Sequence, residues 1–150
     1  MVMGAFLNQH NEYSCGVYSL YNAFNCLGFT AEYDTIKSLA GTTSRYGTDR
    51  IGMIRAITGL GFTPTVYRSS SAENGWRYIK RWASESPIIL LVDHHQHYVV
   101  VSGSIGDRVI VIDSGANIKG NEMGSFPYSK QVLLDRWVHR GRVYAIRVTK

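Results

Sequence analysis

The sequence predicts an α+β fold, with helices first and an antiparallel sheet after them. Three observations carry this. Apolar residues recur at helical spacing in the first half. Val, Ile and Tyr concentrate in short runs in the second half. Gly-containing turn signals such as "SIGD" at 104 to 107 separate those runs at hairpin distance.

The first helix is expected over residues 15 to 27. Val17, Leu20, Tyr21, Phe24 and Leu27 form one apolar stripe, with Ser14 as cap and Gly28 as stop. A second short helix is expected over 30 to 40 with Thr30 as cap. A third is expected over 47 to 61, capped by Thr48 or Asp49, with Ile51, Ile54, Ile57 and Leu60 buried. "TPTVYR" at 63 to 68 reads as a short strand. Residues 72 to 86 read as a fourth helix with Trp76, Ile79 and Trp82 inward. Strands then follow at 87 to 92, 97 to 103, 108 to 113 and 142 to 148, with a short helix expected within 127 to 139.

The chain has 150 residues, a length suited to one domain spanning 1 to 150. Hydrophobic residues make up 45%, enough for a core without disulfides, and charged residues only 18%, too few for a disordered chain. No repeat or low-complexity tract is present. The net charge of +5 permits an acidic partner without requiring one. Arg136, His139, Arg140, Arg142, Arg147 and Lys150 form a basic C-terminal group. It reads as a solvated face, because no nucleic-acid motif accompanies it. "MVMGAFL" lacks the basic start of a signal peptide, and no apolar run reaches the roughly 18 residues of a membrane span, so the expected location is the cytoplasm. Cys15 and Cys26 are the two cysteines. On one helix they lie about 16 Å apart along the axis, far beyond disulfide reach, and are expected as free thiols. Cys26 reads as a core thiol.

Cys15 falls in the first turn of its helix, where unpaired N–H groups and the helix dipole favour a thiolate. Gly16 beside it leaves room for a substrate backbone. A cysteine nucleophile also needs a base. His97 opens "HYVVVSG", a run apolar on both faces and so a central strand that would hold the ring rigidly. Asp113 closes the next strand, "RVIVID", and a tight turn at 104 to 107 brings it beside His97. There it can fix the imidazole tautomer. Asp93 competes with Asp113 as the third member, and His10 reads as an exposed loop residue. "DHHQH" at 93 to 97 raises a zinc alternative: His95 and His97 would share one strand face, with Asp93 or Asp113 as a further ligand. No Cys/His pair at fixed spacing completes that set.

Four segments carry a family resemblance: "QHNEYSCG", "GTDRIGMIRAITGLGF", "ESPIILLVDHHQHYVVVSG" and "VIDSGAN". They resemble the double-glycine type of papain-like cysteine peptidases, best known as bacteriocin-processing domains of export transporters. The resemblance spans nearly the whole chain and implies a papain-like fold, with N-terminal helices packed on a C-terminal antiparallel sheet. Gln9 stands six residues before Cys15, where the family places a glutamine that lines the oxyanion hole. His97 heads the family's His-aromatic-Val-Val strand, and Asp113 takes the place of its aspartate. Ser114 follows where the family usually has proline, a departure that affects the local backbone more than the chemistry. "RWVHRGRVYAI" is similar to the family's closing segment.

The resemblance implies hydrolysis of a peptide or isopeptide bond, after a Gly-Gly motif, by Cys15, His97, Asp113 and Gln9. The substrate would be a peptide or protein, and no cofactor, metal, nucleic acid or membrane span is called for. Tyr13, Tyr18, Tyr46 and Tyr98 are candidate walls for a narrow cleft, with Tyr18 favoured as core. No transporter segment follows the last strand, so a stand-alone enzyme is expected. The alternative function is a catalytically silent peptide-binding module with the same fold.

Overall fold

The computed structural model describes residues 12–115 and 124–150. A 3-10 turn at Glu12–Ser14 leads directly into α1 (Cys15–Cys26). Then come α2 (Tyr33–Ala40), α3 (Arg50–Gly59), β1 (Thr63–Ser69), α4 (Ala72–Trp82), β2 (Ile88–Val92), β3 (His97–Ile105), β4 (Arg108–Asp113), β5 (Gly124–Tyr128), α5 (Lys130–Trp137) and β6 (Val143–Thr149). The described strands form one sheet in the order β1-β6-β2-β3-β4-β5, every neighbouring pair antiparallel. The α+β expectation holds.

Both faces of the sheet are covered. Ile89, Leu91, Tyr98, Val100, Ile112, Ile146 and Val148 pack with α1, α2 and α3 on one side. Ile88, Leu90, Val92, Val99, Val101, Val111 and Ala145 pack with α4 and α5 on the other. This explains why "IILLV" is buried at every position rather than alternating with polar residues.

The helices differ from expectation in instructive ways. α1 is buried nearly all round, not along one stripe: Ser19, Asn22 and Asn25 are as buried as Leu20 and Phe24, while Tyr21 is half-exposed. It is a central helix, clamped between the sheet and the α2–α3 pair, so amphipathic spacing understates its burial. α2 starts later than expected, with Glu32 and not Thr30 at the cap position. α3 is capped by Asp49, whose Oδ1 accepts from the Gly52 N–H at 2.7 Å. Its buried face is Gly52, Met53, Ala56 and Ile57, whereas Ile51 is 71% exposed.

β5, "GSFPY", is a strand that the composition does not announce. Pro127 argues against a strand in a sheet interior, but β5 is an edge strand, where proline is tolerated. The hairpin between β3 and β4 closes at Gly106 and Asp107, with Ile105 opposite Arg108. No helix among the described residues is long and apolar enough to cross a membrane.

Candidate active site

Cys15 is the first residue of α1 and is 7% exposed. The Ser14 side chain makes no cap hydrogen bond to the helix, so the cap side chain does not take up the positive end of the helix that Cys15 occupies. Gly16 has a packing role: a Cβ there would lie 2.7 Å from the Thr48 Cβ, so the glycine lets the loop before α3 close onto α1. This differs from the expectation that it makes room for substrate.

His97 is the first residue of β3 and is buried. Its Nε2 lies 2.7 Å from Asp113 Oδ1, and its ring is also hydrogen-bonded to the Cys15 side chain. With Nε2 given to Asp113, Nδ1 is the ring nitrogen that remains for Cys15. Burial works against a charged ring. The hydrogen bonds to Asp113 and Cys15, and the negative charge they supply, outweigh it and raise the His97 pKa to about 9.

The Asp113 carboxylate is fully engaged. Oδ1 accepts from His97 and from the Gly115 N–H at 2.9 Å, and Oδ2 accepts from Arg136 Nη1 at 2.9 Å. Burial would raise its pKa. Its bond to His97, the charges of His97 and Arg136, and the Gly115 N–H prevail and hold it well below the usual carboxylate range. The Gly115 bond also answers the missing proline after Asp113. The aspartate's own side chain fixes the turn that follows it.

A β-bulge makes this pairing possible. The register between β3 and β4 shifts between Val101 and Gly103, so that Val100 lies opposite Ile112. Continued outward, that register sets Asp113 beside Val99, on the same sheet face as His97. A regular ladder from the hairpin would have set Asp113 opposite Val100, on the other face. Position 115 then falls across from His97. A Cβ on Gly115 would lie 2.9 Å from His97 Cε1.

Sequence reasoning missed Arg136. It was grouped with a solvated basic face, but its side chain is only 20% exposed. Its Nε donates to Asp93 Oδ1 at 2.9 Å and its Nη2 pairs with Asp93 Oδ2 in a bidentate fork, while Nη1 reaches both Asp113 and the Tyr128 hydroxyl. Asp93 is thus spent on Arg136. No sequence signal separates Arg136 from its basic neighbours. Its position on α5 beneath the β2–β3 turn does so.

The zinc alternative fails on backbone geometry. Asp93, His94 and His95 all have positive φ, at 52°, 59° and 64°, so they form a left-handed turn and not a strand, and His95 does not alternate with His97. Among the described residues no group of three metal-ligating side chains converges. Cys15 and Cys26 are both free, and burial pushes the Cys26 thiol up to about 11, which marks it as a core thiol.

Cys15 opens into a cleft of about 1110 Å³ whose walls include Tyr13, Tyr46, Leu91 and Tyr98. Tyr18, by contrast, is core, with its ring against Tyr33. Gln9 and His10 lie outside the described residues.

Comparison with known proteins fits this geometry. The model of the Peptidase C39 family matches residues 5–131. A lactococcin transport/processing ATP-binding protein (LcnC-like) of Lactococcus lactis subsp. lactis is 27% identical over 135 residues, which is 88% of this chain but 17% of that protein. Among solved structures, a double glycine motif protease from an AMS/PCAT transporter, in complex with its leader peptide, superposes with TM-score 0.71 at 16% identity. It covers 99% of this chain and 94% of that one. The peptidase domain of Streptococcus ComA, a bi-functional ABC transporter, gives TM-score 0.70 at 22% identity and covers 94% and 96%. These likenesses bear out the resemblance read from the motifs: the chain belongs to the Peptidase C39 family and is a cysteine peptidase domain.

Proposed function

We propose that this chain hydrolyses a peptide bond of a polypeptide substrate, after a Gly-Gly motif, with Cys15 as nucleophile, His97 as base and acid, and Asp113 as the group that orients His97. One observation carries the reading: a single buried imidazole is bonded both to a carboxylate and to the helix-terminal cysteine that lines an open cleft. The Gly-Gly specificity is supported by the family match and by the double glycine motif protease of similar fold.

In the proposed reaction Cys15 Sγ, its proton held by His97, attacks the scissile carbonyl carbon and the carbonyl π electrons move to oxygen. The Cys15 backbone N–H and the Gln9 side chain donate to that oxyanion. As the tetrahedral species collapses, the C–N bond breaks and His97 gives its proton to the leaving amine. Water then attacks the thioester carbon while His97 takes its proton; the C–S bond breaks, the acid product leaves, and the proton returns to the Cys15–His97 pair. Tyr46, 76% exposed, and Ile51, 71% exposed, stand at the cleft and offer apolar surface to a bound chain.

The test is incubation of wild type, Cys15→Ala and His97→Ala with peptides containing one Gly-Gly step, read by mass spectrometry. Expected is cleavage after Gly-Gly by wild type alone, with a Cys15 acyl-enzyme trapped at early times. Intact peptides together with saturable binding to wild type would replace this reading with that of a silent binding module.

A further inference from the structure

The nucleophile and the base stand on different elements, Cys15 on α1 and His97 on β3. No short stretch of chain joins them, so the distance between them depends on how α1 sits against β3. Ser19 bears on that directly. It lies one turn after Cys15, about 6 Å further along the axis on the same face of α1. Its Oγ donates to the backbone carbonyl of Tyr98, the residue after His97, at 3.0 Å. Ser19 is 1% exposed and Tyr98 5%, so water does not compete for this bond. A buried hydrogen bond thus joins the helix of the nucleophile to the strand of the base, within a turn of the reacting pair.

Packing alone does not call for a hydroxyl at this position. Alanine would fill a buried helix interior with better helix propensity and no polar atom to satisfy. A helix serine commonly turns its hydroxyl back to the carbonyl four residues earlier, which here is that of Cys15. The Ser19 hydroxyl has one proton and gives it across to β3 instead. The acceptor is firmly held. Leu91 of β2 pairs with Tyr98, and Val92 with His97, whereas pairing with β4 begins further in, at Val100. Around the link, α1 meets the sheet through apolar side chains, among them Val17, Leu20, Leu91 and Val100. Apolar contact is non-directional and leaves a helix some freedom to slide or turn. A hydrogen bond, with its preferred length and angle, does not.

We propose that Ser19 is a positioning residue of this site: its bond to Tyr98 sets the depth and rotation of α1 against β3, and so the approach of Cys15 Sγ to the His97 ring. This rests on the reading of Cys15 and His97 as the reacting pair. Ser19 is not part of the cleft lining and acts through the geometry of that pair. Gly16 against Thr48 fixes the side of α1 that meets the loop before α3, and Ser19 fixes the side that meets the sheet.

The experiment compares wild type, Ser19→Ala, Ser19→Thr and Ala23→Gly as full chains. Alanine is the strongest helix former, so Ser19→Ala keeps α1. Ala23→Gly weakens the same helix one turn further on and leaves the link in place. The titration midpoint of His97 is read by NMR of its ring protons, and kcat and KM are read on a Gly-Gly peptide. The His97 ring is held charged up to about pH 9 in part by its bond to Cys15, so a slackened pair shows as a lower midpoint. Expected in Ser19→Ala are a lowered midpoint and a kcat reduced about tenfold, with KM within about twofold of wild type. Ser19→Thr, which keeps the hydroxyl, and Ala23→Gly stay near wild type in both readouts. A Ser19→Ala protein with the midpoint and kcat of wild type overturns the proposal, as does a change confined to KM, or an equal loss in Ser19→Thr or Ala23→Gly. If wild type leaves the peptide intact, the peptidase reading fails, and the His97 midpoint alone still decides the role of Ser19.

Discussion

At the scale of the residue, Gly115 is the most exacting position beside the chemistry. Its missing side chain leaves the space that the His97 ring and the Asp113 carboxylate pack against. A Cβ would stand 2.9 Å from His97 Cε1, 3.1 Å from Nε2 and 3.2 Å from Asp113 Oδ1. Its backbone N–H also donates to Asp113. Gly115→Ala is expected to keep the fold at a cost of about 1–3 kcal/mol, typical of overpacking. It is also expected to lower kcat/KM on a Gly-Gly peptide by at least about tenfold, since small misplacements of reacting groups cost that much or more. Unchanged kinetics would mean that His97 tolerates displacement and that the bonds to Asp113 do not govern its aim. The same scale shows what sequence can and cannot tell. Cys15, His97 and Asp113 are legible because each stands at the end of an element whose composition reveals it. Gly115 is not, because nothing in "DSGAN" says that position 115 faces a histidine. That follows from the bulge between Val101 and Gly103, which no residue pattern announces.

At the scale of the element, α5 and the β2–β3 turn act together. Three consecutive non-glycine residues in that turn hold the left-handed conformation, which costs roughly 1 kcal/mol or more at each and needs outside support. Arg136 supplies it. Its fork holds the Asp93 side chain, and its carbonyl accepts from the Asp93 N–H at 2.9 Å. The same guanidinium reaches Asp113, so one side chain of α5 fixes both the turn that leads into His97 and the carboxylate hydrogen-bonded to it. Arg136→Met is expected to destabilise the fold by about 2 kcal/mol, less than a fully buried pair because Arg136 and Asp93 keep partial solvent contact. It should lower kcat more than it raises KM. Arg136→Lys, which keeps the charge but not the fork, should recover only part of the loss. A change confined to KM would place Arg136 in substrate binding and not in positioning. The helices and central strands were read from spacing and composition with errors of a few residues. β5 was not, because five residues interrupted by proline carry no alternation strong enough to compete with a loop.

At the scale of the whole molecule, a sheet covered on both faces brings α1 and α5 to the same end of β3 and β4, one bearing the cysteine and the other the arginine. This two-sided burial was partly legible, in apolar runs too continuous for a half-exposed sheet. The burial of α1 on all sides was not, because the polar Ser19, Asn22 and Asn25 disguise it. Ser19 resolves its own polarity by donating to the Tyr98 carbonyl at 3.0 Å. Placing the charged machinery inside this core ties global stability to pH. The His97 pKa is raised from 6.5 to about 9 on folding, so the stability it lends is complete below about pH 6.5 and fades as pH climbs to 9. Asp113 is depressed, so its contribution is present above its ordinary value near 3.8 and fades as pH falls below it. His95 acts in the opposite sense to His97, since its lowered pKa makes protonation oppose the fold, but it is partly exposed and weaker. Cys26, raised by burial to about 11, adds to the loss above pH 9. Urea unfolding of wild type is therefore expected to show highest stability near pH 5–6 and a decline between pH 6.5 and 9. In His97→Gln the decline over that interval should flatten while the steep loss above pH 9 persists. If wild type and His97→Gln fall in parallel from pH 6.5 to 9, the imidazole is not held charged by Asp113 and Cys15, and the ion-pair description of this site has to be abandoned.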